Sequence, residues 1–123
     1  MALTPDIVQL LSDTRTVDFT TIGRRSGQPR TVEIWWFHHD GRFVITGTPG
    51  RRDWLANVRA DARVEVSTPY GVFSGIATEV TDDSWKQGFF GASASSWYRT
   101  QAQLDDLVAT APMIEITALT TAA

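Results

Sequence analysis

The sequence predicts a mainly β fold, a small closed or half-closed antiparallel barrel with short helices inserted between its strands. Two observations carry this. Six runs of seven to nine residues are rich in β-branched and aromatic side chains, and most are joined by turn residues rather than long connections. The first half of the chain also lacks the regular crossover helices that a ferredoxin-like sandwich would need.

Each element follows from its residues. Thr4-Pro5 ahead of Ile7, Val8, Leu10 and Leu11 reads as a short amphipathic helix, with Thr4 as its N-cap and Pro5 at its first position. "TVDFTTI" (16–22) sets Val17, Phe19 and Thr21 against Asp18, Thr20 and Ile22, which is strand alternation. After the loop "GRRSGQPR" comes "TVEIWWFHH" (31–39), read as one long strand. Asp40-Gly41 turns it into "RFVITGT" (42–48), and Asp-Gly is a strong hairpin signal. "PGRRDWLANVRA" holds turn residues and then Asp53 as N-cap of a two-turn helix. "ARVEVST" and "VFSGIATEV" form a hairpin about Pro69-Tyr70-Gly71. Thr81-Asp82-Asp83 starts a helix through "SWKQGFFG", and a second helical segment spans Ser95 to Ala109 with Trp97, Leu104, Leu107 and Val108 inward. Pro112 leads into the sixth strand, "MIEITAL".

A length of 123 residues suits one domain over 1–123. A chain of that size buries roughly two-thirds of its unfolded surface. No apolar run nears the ~18 residues of a membrane span, and "MALTPDIVQLL" lacks the basic start of a secretory signal, so a cytoplasmic protein is expected. The absence of cysteine excludes disulfides, thiolate nucleophiles and dithiol redox chemistry. Charge is unevenly spread. From Gly23 to Arg59 seven arginines face three acids, a balance of +4, whereas the remaining residues carry four cations and eleven acids, a balance of −7. That asymmetry implies a local anion site and counts against nucleic acid, which the rest of the surface would repel.

The anion site is sought in "GRRSGQPR". Gly23 and Gly27 permit positive φ, so successive N–H groups could point into one concavity, with Ser26 adding a hydroxyl and Arg24, Arg25 and Arg30 adding charge. Arg51 and Arg52 lie across the Asp40-Gly41 hairpin, at the same end, and just before a helix start, so they are expected beside the first cluster. The loop is neither a P-loop nor a G-x-G-x-x-G turn.

"TTIGRRSGQPRTVEIWWF" followed by "DGRFVITGTPGRRDWLANVRADARVEV" resembles the deazaflavin-dependent nitroreductase and quinone reductase family. The pattern is Gly-Arg-Lys/Arg-Ser/Thr-Gly, two variable residues and Arg, then a hairpin, then Trp54, Asn57, Ala60 and Val64 at fixed spacing. The resemblance implies a six-stranded antiparallel split β-barrel of the FMN-binding split-barrel-like type. It implies coenzyme F420 (an 8-hydroxy-5-deazaflavin) and hydride transfer to a quinone, nitroaromatic or activated-alkene acceptor. It further implies that Arg24, Arg25, Ser26 and Arg30 hold the phosphate or the start of the glutamyl tail, while "ITGTPGRR" passes beside the ring with Thr46, Gly47, Thr48 and Gly50 offering contacts; Gly27, Arg51 and Arg52 complete the expected cofactor-binding set. Arg25 stands where many relatives have Lys, and the Trp35-Trp36 pair replaces smaller residues.

Trp36 and Trp97 are the expected acceptor-binding walls, and the Tyr98 hydroxyl is the candidate catalytic group, able to hydrogen-bond an acceptor oxygen or pass a proton. His38 and His39, as strand neighbours, point to opposite faces and cannot share an ion, so no metal is expected. An exposed Trp35 or Phe37 face would suit a homodimer. Two rival readings are an FMN-binding flavoprotein and a module that holds an anionic ligand without turnover. Single-stranded nucleic-acid binding through the Arg loops and Trp-Trp-Phe run is a third.

Overall fold

The computed structural model of the protein describes residues 3–122. Thr4 caps α1 (Pro5–Ser12) by accepting the Ile7 N–H at 3.3 Å. Strands β1 (Thr16–Ile22), β2 (Pro29–Trp35), β3 (Phe37–His39) and β4 (Arg42–Thr46) follow, then α2 (Asp53–Ala60), β5 (Arg63–Thr68) and β6 (Gly71–Glu79). Helix α3 (Asp83–Gly91), a 3₁₀ turn (Ser93–Ser95), α4 (Ser96–Arg99), α5 (Leu104–Thr110) and β7 (Met113–Thr121) complete the chain.

All seven strands join one antiparallel sheet in the order β2-β1-β5-β6-β7-β4-β3. The two outermost strands, β2 and β3, are consecutive in the chain with only Trp36 between them, so the sheet curls back upon itself as a split barrel. The single strand expected over 31–39 is therefore two. β2 pairs with β1 and β3 pairs with β4, and the change of partner occurs at Trp36. That residue is pinned there: its N–H donates to the Arg15 carbonyl (2.7 Å) and its indole Nε1 to the Leu11 carbonyl (3.0 Å), while the ring stacks on Phe43.

Two apolar clusters result. One fills the barrel around Phe19, Trp36, Phe43, Trp54, Phe73 and Ile114. The other packs α3, α4 and α5 onto the outside of β3, β4 and β7 around Val44, Phe89, Phe90, Tyr98, Leu107 and Met113. The helix expected over 95–109 is interrupted. Thr100 ends α4, the chain runs without helix through Gln103, and Asp105 and Asp106 restart it at the favourable N-terminal end of α5. The interruption exposes Trp97 and buries Tyr98 instead. Helix α2 begins one residue earlier than expected, with Arg52 as N-cap and Asp53 in the first turn.

Candidate active site

The arginine loop is closed by its own hydrogen bonds. Gly23 N–H donates to the Gln28 carbonyl (2.8 Å), Gly27 N–H to the Gly23 carbonyl (2.8 Å), and Gln28 N–H to Ser26 Oγ (3.2 Å). Gly27 takes the expected positive φ of 70°. Gly23 does not; its requirement is space, because a Cβ would stand 2.6 Å from Ser26 Oγ. Fewer N–H groups remain for a ligand than a concave row would offer, since those of Gly23, Arg24, Gly27 and Gln28 are already engaged.

A buried amide fastens this loop to α2. Asn57 Oδ1 accepts from the Arg24 N–H (3.1 Å) and from Arg24 Nη1 (2.9 Å), and its Nδ2 donates to Thr21 Oγ1 (3.1 Å). Arg24 Nη2 also reaches Asp53 Oδ1 at 3.4 Å. The side chains of Arg25 and Arg30 have no hydrogen-bond partner among the described residues. They stand with Ser26 on a groove of about 550 Å³ between β2 and α2. The role of Asn57 was not legible beforehand: it formed part of the family-like spacing, but only the β1–α2 packing gives it three partners.

A second cleft, about 380 Å³, opens between β2 and the end of β4. Glu33, Ile34 and Trp35 form one side, Thr46, Gly47 and Thr48 the other, and Arg52, Trp97 and Tyr98 close it. Trp35, Trp97 and Tyr98 touch edge-to-face, with centroids 5.0 Å apart for Trp35–Trp97, 5.9 Å for Trp35–Tyr98 and 5.3 Å for Trp97–Tyr98. Burial pushes the Tyr98 phenol up to about 12, against a smaller downward pull from the Arg52 charge, so the hydroxyl is a neutral hydrogen-bond donor.

Several expected positions shift. Trp36, expected at the acceptor, is 2% exposed in the barrel core with its N–H satisfied, and Trp35 lines the cleft instead. Strand parity carried the signal: Trp36 shares a face with Val32 and Ile34, opposite the buried Phe19 and Val17. The two basic loops do not merge. Arg51 and Gly50 face a separate cleft beyond α2, with Arg59 and Lys86, and Arg52 borders both that cleft and the aromatic one. Arg52 folds back over its own loop, donating from Nη2 to the Thr48 carbonyl (2.9 Å) and Thr48 Oγ1 (3.1 Å), and from Nη1 to the Arg51 carbonyl (3.0 Å). The Thr46 hydroxyl is spent on the Pro112 carbonyl (2.6 Å), and the Gly47 N–H points to the same oxygen (3.3 Å). His38 and His39 lie on opposite sides of β3, against Phe43 and against Trp85 and Phe89 respectively.

The groove and the aromatic cleft share β2, the first at Pro29–Val32 and the second at Glu33–Trp35. At about 3.3 Å per residue, Arg30 and Trp35 are separated by roughly 17 Å of strand. The donors at one end suit an anion, and the ring faces at the other suit a flat conjugated system.

A profile of the F420H(2)-dependent quinone reductase family matches residues 3–120. Among solved structures, the F420-H2 dependent reductase FDR-A is 22% identical with TM-score 0.61, over 84% of this chain and 94% of that one. A FAD-binding protein from Mesorhizobium loti is 21% identical with TM-score 0.62, over 93% and 88%. A domain-swapped dimer is 24% identical with TM-score 0.61, over 93% and 87%.

Proposed function

The chain belongs to the F420H(2)-dependent quinone reductase family, whose enzymes use coenzyme F420, and from that premise we propose that it reduces a small quinone, nitroaromatic or activated-alkene acceptor. The observation that carries this is the shared strand: a cationic groove and an aromatic cleft lie along β2 in the order that a flat ring with an anionic tail requires.

The residues present fit such a coenzyme. Arg25 and Arg30, with the Ser26 hydroxyl hydrogen beside them, form a cationic donor set for a phosphate or carboxylate, each charge-assisted bond contributing about 1.5–3 kcal/mol. Arg24, tied to Asn57 and Asp53, supplies charge and holds the loop against α2. The coenzyme, when bound, supplies the hydride. The protein orients acceptor and ring in the cleft against the touching Trp35–Trp97 pair and excludes water, and the neutral Tyr98 hydroxyl donates to the acceptor oxygen. No helix among the described residues is long and apolar enough to cross a membrane. Pairing of two chains is a further part of the reading, supported by the likeness to a domain-swapped dimer and checked by light scattering; of the expected Trp35 or Phe37 face, Phe37 is half-buried against Phe89 and Tyr98.

The test is tryptophan quenching with F420 and, separately, FMN, followed by anaerobic oxidation of the reduced coenzyme with menadione. Binding of F420, loss of at least about tenfold in affinity for Arg25→Ala/Arg30→Ala, and turnover with menadione support the reading. Preference for FMN would make the protein a flavoprotein, in line with its likeness to a FAD-binding fold. Tight binding with no turnover across an acceptor panel would make it a binding module.

A further inference from the structure

We propose that Arg52 is the oxyanion-stabilising residue of the aromatic cleft, and that it makes the site selective for acceptors that develop or carry negative charge on an oxygen beside Tyr98. This rests on the reductase reading and adds a role to a residue whose sequence position suggested a phosphate ligand.

Three observations carry it. Arg52 does not join the groove that holds Arg25 and Arg30; it borders both the cleft beyond α2 and the one lined by Trp35, Trp97 and Tyr98, and its guanidinium lies over Gly47 and Thr48 on the wall of the latter. It is held there by three hydrogen bonds to Thr48 and Arg51, and by the missing side chain of Gly47, where a Cβ would stand 2.9 Å from Nη2 and 3.0 Å from Nε. No carboxylate pairs with it among the described salt bridges, and only part of its five-donor fork is engaged by those bonds. Its charge is felt at the Tyr98 hydroxyl. A fixed, unneutralised cation beside a neutral donor is the arrangement that stabilises a developing oxyanion, because neither group reorganises as charge appears.

The chemistry balances. A quinone that takes a hydride from the reduced coenzyme gains two electrons and one proton, giving a hydroquinone monoanion with the charge on one oxygen. Arg52 and Tyr98 face that oxygen, and water then supplies the second proton. A cationic acceptor, such as a phenazinium dye, would lose charge on reduction and meet Arg52 unfavourably from the start.

The experiment uses a redox-silent comparison. Calorimetry measures binding of 2-hydroxy-1,4-naphthoquinone, an anion at neutral pH, and of menadione, its neutral analogue. Each is titrated into protein saturated with oxidised coenzyme and into coenzyme-free protein. Arg52→Gln keeps donors for the Thr48 carbonyl and removes the charge, and Arg52→Lys keeps the charge. The expected result is a preference for the anion of at least about tenfold in wild type and Arg52→Lys, lost in Arg52→Gln while menadione affinity stays within about twofold. Gly47→Ala, which displaces the guanidinium without altering it, should lose the preference as well, and it carries the test if Arg52→Gln fails to fold. Equal losses for both quinones would show Arg52 to be a loop clamp only, and an unchanged preference would remove its charge from the site; either overturns the proposal. Failure of the coenzyme to bind would sink the reductase reading, yet the coenzyme-free titration would still decide the role of Arg52.

Discussion

Asn57 is 3% exposed and satisfies three donors and acceptors that would otherwise be stranded at the β1–α2 contact. Asn57→Ala leaves the Arg24 N–H and Thr21 hydroxyl without that partner, and should cost about 2–3 kcal/mol by urea denaturation. Because the same amide fixes the loop that presents Arg25 and Arg30, coenzyme affinity should fall with it, whereas Asn57→Asp should keep the Arg24 contacts and recover part of both. Tyr98 makes a different prediction. Its phenol is pushed up to about 12, so as pH rises past the ordinary value of 10.0 the unfolded chain releases a proton that the folded chain retains. Stability is thus fully present below about pH 10 and declines toward about pH 12; Tyr98→Phe should flatten that decline in urea midpoints compared at about pH 9 and about pH 11. The same shift implies that no phenol ionisation limits turnover near neutrality.

At the scale of elements, adjacent tryptophans divide the work. Trp36 joins β2 to β3 from inside the barrel, and Trp35, 37% exposed, faces the cleft. Trp36→Ala should cost about 3–5 kcal/mol with a denaturation midpoint to match. Trp35→Ala should leave the midpoint close to wild type and weaken coenzyme or acceptor binding. Much of this level was legible in the sequence. Thr4, Asp82 and the Asp40-Gly41 turn act as their types dictate, with Asp40 and Gly41 at φ 49° and 78°, and the Asp82 carboxylate accepting the Trp85 N–H. The division of 31–39 was not, because Thr31 to His39 is uniformly β-forming and only the demands of two partner strands break it. The α4–α5 interruption was hidden for a similar reason. Trp97, Leu104, Leu107 and Val108 fit a helical period, but Arg99 turns back to the Phe90 and Ala92 carbonyls and draws the chain out of it. In the candidate site, the arginine groove was readable from local glycine and arginine chemistry. The placement of the Arg52 guanidinium depended on the absent side chain of Gly47, a contact that no local pattern encodes.

Over the whole molecule, β2 is the anomaly. Six of its seven residues are exposed, including Val32, which lies opposite the buried Phe19 and on the core-facing side. It bonds to β1 along one edge, and no strand of the sheet lies along its other edge. Such a strand has little apolar burial of its own and opens locally at low free-energy cost. A ligand lying along both clefts would cover it. Coenzyme that binds only the folded state stabilises by about 2.7 kcal/mol at a hundredfold excess over Kd, and the gain should be concentrated in β2 rather than shared with β5 and β6. Hydrogen exchange is the measurement. Amides of Pro29–Trp35, proline apart, should exchange fast in the free protein and slow on addition of F420, while those of Arg63–Thr68 are already slow and change little. Uniform slowing across the sheet would mean that the ligand tightens the barrel without lying on β2, and would break the link between the groove and the cleft. The same protection should fade with added salt, because the +4 segment attracts an anionic tail that the −7 remainder repels, and both effects are screened together.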